Sequence, residues 1–430
     1  MEYYDLIVIG AGWGGINASL RAADLGLSVA LIEEDLVGGT CLNYGCIPTK
    51  YFSFYTKLYH KSKSILKSLS AVDFKELRDK KNILIERLRN NLSSLIRNKN
   101  INYINSKATF KSHFEIDIGN SKIGAENIII ATGSQPKELD FLKFDKKRIV
   151  STKEILELER LPSSILVVGA GIIGCEFACL FNLVGVDVTL VEISSHILPQ
   201  LDSEISQRLT AVFKKRGINI HTSTELSDMN ISDYELILVS IGRVPNTVEL
   251  GLNNTDINIE DGRIVTDEYL QTNVPHIYAI GDCTNRIMLA HLASYQGWQL
   301  IDNIIFTQKR KKINPGFLPS CVFTYPEVAW VGITEDEAKD KNLSIKVNRF
   351  DFLGLGMSHI LEETEGMIKI ISDKETQRIL GASIIGPLAT EIIGILTLAI
   401  NTQLDLRALR DTIFAHPTVS ECITEMLKKG

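Results

Sequence analysis

Residues 4–33, YDLIVIGAGWGGINASLRAADLGLSVALIE, contain a complete strand–turn–helix–strand unit. Tyr4 to Gly10 is an apolar run rich in Ile and Val, the composition of a strand covered on both faces. The turn Gly10-Ala-Gly12-Trp-Gly-Gly15 follows, then an Ala-rich helical segment to Gly26 and a second apolar run from Ser28 to Glu33. Gly10 permits a tight turn, Gly12 lets a pyrophosphate approach the backbone, and Gly15 lets the helix pack closely. The helix N-terminus stabilises phosphate charge, and Glu33, 23 positions after Gly10, can accept hydrogen bonds from ribose hydroxyls. A dinucleotide site is the expectation.

The same order returns in residues 165–192, ILVVGAGIIGCEFACLFNLVGVDVTLVE. Its turn, Gly169-Ala-Gly171-Ile-Ile-Gly174, has Glu192 at the same 23-residue offset. Two such units imply two nucleotide-binding α/β domains. A carboxylate at Glu192 suits a free 2′-hydroxyl and repels a 2′-phosphate, and Ile193 to His196 supply no Arg, so the second site favours NAD over NADP. Between the units, Lys61 to Lys99 is expected to be helical, with Ile85, Leu88, Leu92 and Leu95 spaced by three and four. This stretch carries eleven Lys/Arg against four Asp/Glu; with Phe74 its single aromatic residue, it is expected to be a solvated helical face. Beyond Ile345 short strands (Ile368 to Ile371, Ala382 to Ile385) alternate with helices (Thr390 to Thr402, Leu406 to Arg410), which suggests a third, α+β domain.

The wider composition agrees. The chain has 430 residues, enough for roughly three domains. It is 45% hydrophobic and 23% charged, which excludes disorder, and its net charge of −6 gives no global pull toward nucleic acid or anionic membrane. No apolar run reaches the ~18 residues of a transmembrane helix. Strand-like sequence begins by Leu6, leaving no room for a signal peptide, and seven cysteines are too sparse for a disulfide scaffold. A reducing cytoplasm is the expected compartment.

One block is unusual: Gly38-Gly-Thr-Cys41-Leu-Asn-Tyr-Gly-Cys46-Ile-Pro48-Thr-Lys50. The two cysteines can bridge if the intervening turn brings their Cα atoms within ~7 Å, and Gly45 makes such a turn feasible. Pro48 fits the first turn of a following helix, whose positive end favours a thiolate at Cys46. The alternative is a structural turn holding two buried thiols. Cys175 and Cys179, four apart with no companion ligands, read as core, and Cys283, Cys321 and Cys422 as single buried thiols.

Taken together, this block, the two glycine-rich turns, Ala131-Thr-Gly133, Ala279-Ile-Gly281-Asp282 and His416-Pro-Thr-Val-Ser-Glu421 resemble the pyridine nucleotide disulfide oxidoreductase family along essentially the whole chain. Met288-Leu-Ala-His291 and Tyr325-Pro-Glu-Val-Ala-Trp-Val-Gly332 are similar to the group that oxidises dihydrolipoamide. The resemblance implies an FAD-binding domain of residues 1–148 and 247–319, a trimmed NAD-binding domain of 149–246 and a dimerisation domain of 320–430. It implies FAD on Gly10, Gly12, Gly15, Glu33, Gly39, Thr40, Lys50, Thr132, Gly133, Asp282 and Ala290. It implies NAD on Gly169, Gly171, Ile172, Gly174, Glu176, Glu192 and Gly242, with Lys50 pairing with Glu176.

The resemblance further implies a redox-active Cys41–Cys46 disulfide, with Cys46 facing the flavin and Cys41 exchanging with substrate. His416, oriented by Glu421, is the implied base, and the implied homodimer brings it to the cysteines of the other subunit. The implied partners are lipoyl-bearing carriers or acyltransferases of a 2-oxoacid dehydrogenase or glycine-cleavage complex. Reduction of another disulfide such as glutathione, and a flavoprotein subunit without exchange activity, are the alternatives. The chain departs from the family pattern in three respects. The stretch Gly217 to Gly242 is too short for a β-meander; Trp13 stands where a smaller residue is usual and could cover the pyrophosphate. Phe414 replaces a His, and Leu292 and Gln296 replace Lys and Glu.

Overall fold

The computed structural model describes every residue except 67, 69, 285, 286, 314–316, 429 and 430. The chain divides into two compact units, residues 1–51, 75–137 and 242–315, and residues 52–74, 138–241 and 316–430.

The first unit is built on a seven-stranded sheet. Glu2–Ile9 lies between Val29–Glu33 and Lys122–Ile130, all parallel, with Asn102–Asn105 outside Val29–Glu33. Leu6 to Ile9 are all buried because both faces of this central strand are covered. Leu6 and Val8 face the helix Trp13–Asp24, while Ile7 and Ile9 face Phe110, Ile116 and Leu250. The outer edge of Lys122–Ile130 is shared: residues 122–124 pair with Glu115–Asp117, and 128–130 with Ile277–Ala279. That second pairing returns the distant 242–315 segment to the first strands. The helix Ala290–Ile305 packs on Trp13–Asp24 so closely that a Cβ on Gly297 would lie 2.3 Å from the Gly14 carbonyl oxygen.

The second unit holds two sheets of five strands. In the first, Asn219–His221, Asp187–Val191, Ser164–Val168, Leu236–Val239 and Ile149–Val150 run parallel in that order. Residues 222–235 form no strand, only the 3-10 turns Leu226–Asp228 and Ile231–Asp233. Leu226, Met229, Ile231 and Tyr234 from this short segment cover Leu166, Val168 and Ile237 on one face of the sheet. The second sheet is antiparallel, in the order Ser320–Val322, Glu327–Gly332, Ile379–Gly386, Met367–Asp373, Ile345–Asp351. The helix Ala389–Asn401 packs Ile392, Ile393, Leu396 and Ile400 into its core.

A buried cation joins elements within this unit. Lys369 is 1% exposed, and its Nζ donates to both carboxylate oxygens of Asp202 at 2.9 and 3.0 Å. It also meets Glu204 at 2.8 Å and Glu335 at 2.7 Å. Burial opposes the charge of Glu335, but Lys369 and Lys339 outweigh it and hold that carboxyl down to about 2.

Three expectations need correction. Lys61 to Lys99 is not one helix: Cys46–Ile65 runs into it and stops at Ile65, and Phe74–Asn98 begins after a break. Ser68, Ser70 and Asp73 fall in that break, and such side chains compete for backbone hydrogen bonds. Within Phe74–Asn98 the buried stripe is Phe74, Leu77, Lys81, Ile85 and Ile96, and Leu95 is exposed. Cys321 is only partly buried, whereas Cys175, Cys179, Cys283 and Cys422 are buried. Among the described residues no helix is long and apolar enough to cross a membrane.

Candidate active site

The glycine-rich turns explain themselves sterically. Gly10 has φ +105° and Gly169 φ +94°, left-handed values that side chains resist. A Cβ on Gly15 would lie 1.9 Å from the Gly10 carbonyl oxygen, and one on Gly174 1.9 Å from that of Gly169. Gly12 and Gly171, in contrast, would meet nothing within 4 Å, so open space lies beside each helix N-terminus where a pyrophosphate would sit. Ile172 opens the second helix, Ile172–Leu183.

The acids are held alike at both turns. Glu33 Oε2 accepts from Ala11 N at 2.7 Å and Oε1 from Asp35 N at 2.9 Å. Glu192 Oε2 accepts from Ala170 N at 2.7 Å and Oε1 from Ser194 N at 2.8 Å. Each carboxylate keeps lone pairs for ribose hydroxyls. Burial raises the Glu33 carboxyl above the usual range, against the backbone bonds from Asp35 and Ala11. Elsewhere in the second unit, Glu176 is buried and accepts from Phe323 N at 2.9 Å.

The cysteine block is stitched to the first turn. Gly38 N donates to the Ala11 carbonyl at 2.8 Å, and a Cβ on Gly39 would lie 2.8 Å from Gly12 Cα. The buried amide of Asn43 donates to the carbonyls of Val37 at 3.1 Å and Gly39 at 3.0 Å. Cys41 lies in the short helix Gly39–Asn43, and Cys46 is the first residue of Cys46–Ile65, at the end of the helix that favours negative charge. Pro48 falls in the first turn, where its missing N–H costs nothing.

The two cysteines are present as a hydrogen-bonded dithiol. The bond to Cys46 raises the Cys41 thiol far above its ordinary value, and burial adds to this; Trp13 and Lys50 act in the opposite direction. Cys46, at the N-terminus of its helix, is the sulfur whose surroundings favour charge. The indole N–H of Trp13 can only donate, so it points at the Cys41 sulfur. Trp13 thus serves the thiol pair, a role its place in the glycine-rich turn did not disclose.

Other expected residues cluster in the first unit. Asp282 lies in the single turn Gly281–Cys283, where Oδ2 accepts from Ser134 Oγ at 2.6 Å. Gly281 N donates to the buried Gln296 side chain at 2.8 Å, and Ala290 opens the helix that carries Gln296. Thr132 Oγ1 donates to the Asn246 carbonyl at 2.7 Å, and Asn246 N to that of Gly133 at 3.0 Å. Gly242, expected among the NAD residues, belongs to this unit, and its carbonyl accepts from Lys137 N at 3.0 Å.

In the second unit, His416 Nδ1 lies 2.8 Å from Glu421 Oε1, while Glu421 Oε2 accepts from Thr418 N at 2.8 Å. The Thr418 bond, then His416, lowers the Glu421 carboxyl, so this carboxylate stays ionised beside the imidazole it orients. The His416 side chain is 81% exposed. Phe414 packs partly buried against the core of this unit.

Residues 4–297 match the sequence pattern of the pyridine nucleotide-disulphide oxidoreductases, and residues 318–427 match that family's dimerisation domain. The chain belongs to the pyridine nucleotide-disulphide oxidoreductase family. It is 38% identical to a dihydrolipoyl dehydrogenase of Chlamydia pneumoniae, over 99% of this chain and 96% of the relative. It is 34% identical to one from Bacillus subtilis, over 98% and 97%. Among solved structures, the HOCl-induced flavoprotein disulfide reductase RclA of Escherichia coli, as its Cu(II) complex, superposes with a TM-score of 0.91 at 28% identity, covering both chains fully. This member of the family is an oxidoreductase, a flavoprotein disulfide oxidoreductase whose cofactors are FAD and NAD(H). The two open cradles, each with an acid held at its rim, fit two dinucleotides.

Proposed function

We propose that this chain is a dihydrolipoamide dehydrogenase, oxidising protein-bound dihydrolipoamide to lipoamide as NAD+ becomes NADH. Residues 1–148 and 247–319 would hold FAD, 149–246 NAD, and 320–430 the dimer contact. Gly10, Gly12, Gly15, Glu33, Gly39, Thr40, Lys50, Thr132, Gly133, Asp282 and Ala290 serve FAD. Gly169, Gly171, Ile172, Gly174, Glu176, Glu192 and Gly242 serve NAD. Bound FAD supplies a two-electron carrier between the cysteine pair and the nicotinamide.

The chain's residues carry the exchange. In the oxidised enzyme Cys41 and Cys46 share a disulfide. The partner subunit's His416, steadied by the partner subunit's Glu421, takes a proton from one substrate thiol. The resulting thiolate attacks Cys41, a mixed disulfide forms, and Cys46 departs as a thiolate at its helix N-terminus. The second substrate thiol, losing its proton, attacks the substrate's other sulfur, the one bonded to Cys41 in that mixed disulfide. Lipoamide closes, Cys41 departs and takes up a proton, and the pair now holds two electrons for NAD+.

The observation that carries this reading is the cysteine pair: the two sulfurs are in hydrogen-bond contact, and Cys46 opens the helix Cys46–Ile65, whose N-terminus favours charge. The full-length identity to dihydrolipoyl dehydrogenases supports the substrate. The likeness to RclA favours a second reading, reduction of another disulfide. Glu192 argues against the NADPH that a glutathione reductase would prefer. The partner is then a lipoyl-bearing acyltransferase or carrier, in a reducing cytoplasm. Steady-state kinetics with dihydrolipoamide, oxidised glutathione, NAD(H) and NADP(H) test it. A higher kcat/KM for glutathione with NADPH would refute it.

A further inference from the structure

Arg243 follows Gly242 and begins the strand Arg243–Pro245, which pairs antiparallel with Ser134–Pro136. Its side chain is half-buried and turns back onto that partner strand. Nε donates to Ser134 Oγ at 2.7 Å, and Nη2 to the Ser134 carbonyl at 2.5 Å and to Thr40 Oγ1 at 3.4 Å. Ser134 Oγ in turn donates to Asp282 Oδ2 at 2.6 Å. One guanidinium therefore spans from the residue beside Cys41 to, through Ser134, the carboxylate expected among the FAD residues.

The charges facing this guanidinium are Asp282 and Cys46. Burial works against its charge, yet Arg remains protonated in proteins. Around the thiol pair stand Cys41 from the helix Gly39–Asn43, Lys50 from the helix Cys46 opens, and Arg243 from across the site, with Asp282 behind it. Lys50 is a point charge on a flexible stem, whereas Arg243 is held in place by its three hydrogen bonds.

We propose that Arg243 is a positioning residue for the dithiol chemistry, orienting Asp282 through Ser134 and standing as a fixed cation beside Cys46. This rests on reading Cys41 and Cys46 as the redox pair beside FAD. The test uses FAD-loaded protein reduced by two electrons, as wild type, Arg243→Met, Arg243→Lys and Ser134→Ala. Two quantities are followed against pH: the long-wavelength absorbance of the thiolate beside the flavin, and iodoacetamide alkylation of Cys46 read by peptide mass.

Arg243→Met should move both midpoints up by about one pH unit, so that about tenfold less thiolate is present at a fixed lower pH. Arg243→Lys should recover at least half of that shift, which a merely structural role would not predict. Ser134→Ala, which keeps the cation and cuts the relay, should leave the midpoints in place and weaken FAD retention about fivefold. Unmoved midpoints in Arg243→Met overturn the electrostatic role, and undiminished FAD retention in Ser134→Ala overturns the orienting one. If Arg243→Met does not fold, Arg243→Lys midpoints displaced as far as one full pH unit would overturn the proposal in its place. A wild-type protein without the absorbance band would instead sink the functional reading itself.

Discussion

Glu192→Gln isolates the second nucleotide site. The carboxylate is 9% exposed, and both oxygens already accept backbone N–H groups, from Ala170 at 2.7 Å and Ser194 at 2.8 Å. An amide keeps the shape but replaces one acceptor oxygen with a donor, so one of these N–H groups loses its partner and the ribose loses an anionic acceptor. Charge-assisted hydrogen bonds of this kind contribute about 1.5–3 kcal/mol each. With partial relaxation of the turn, a net loss of about 2–4 kcal/mol in NADH affinity is expected, a rise in Kd of about 30- to 700-fold. FAD retention should change by less than about twofold, because Glu33 and its own turn are untouched. Removing the charge should also narrow the preference for NAD+ over NADP+. NADH fluorescence titration and flavin absorbance after gel filtration measure both quantities on one sample. Equal loss of NADH and FAD, or a Kd within threefold of wild type, would refute the two-site reasoning.

The remaining expectations concern the thiols and the buried cation. Cys46→Ser should abolish the long-wavelength band of the two-electron reduced protein, and Cys41→Ser should display it without reductant; the reverse pattern in absorbance spectra would exchange the roles of the two sulfurs. Lys369→Met should destabilise by about 3–5 kcal/mol in denaturant unfolding, since Asp202 would stay buried without its counter-charge; a change under about 1 kcal/mol would show that the network relaxes. Because Lys369 and Lys339 hold Glu335 down to about 2, its contribution is complete above about pH 4.5 and lost as the pH falls toward 2. The thermal midpoint should therefore drop over that interval in wild type and less steeply in Lys369→Met.

The missing meander was legible from length alone, since Gly217 to Gly242 leaves no room for further strands. What replaces it was not, because Leu226, Met229, Ile231 and Tyr234 show neither helical nor strand period and reveal their face only against Leu166 and Ile237. The break between Cys46–Ile65 and Phe74–Asn98 was missed for a related reason: continuous basic and apolar residues hid a short run of competing side chains.

Both dinucleotide turns and the Cys41–Cys46 block could be read from the chain itself. Gly15 and Gly174 answer clashes with glycines five positions earlier, and each acid sits at a distance set by one strand, one turn and one helix. The surroundings of the thiols belong to the folded molecule. Trp13 lies 28 positions before Cys41, and Arg243 lies 197 positions beyond Cys46. Only the Gly38–Ala11 stitch and the pairing of Arg243–Pro245 with Ser134–Pro136 bring them there. Short-range sterics leave a pattern in neighbouring residues, whereas charges and donors converging across a sheet leave none until the strands have paired.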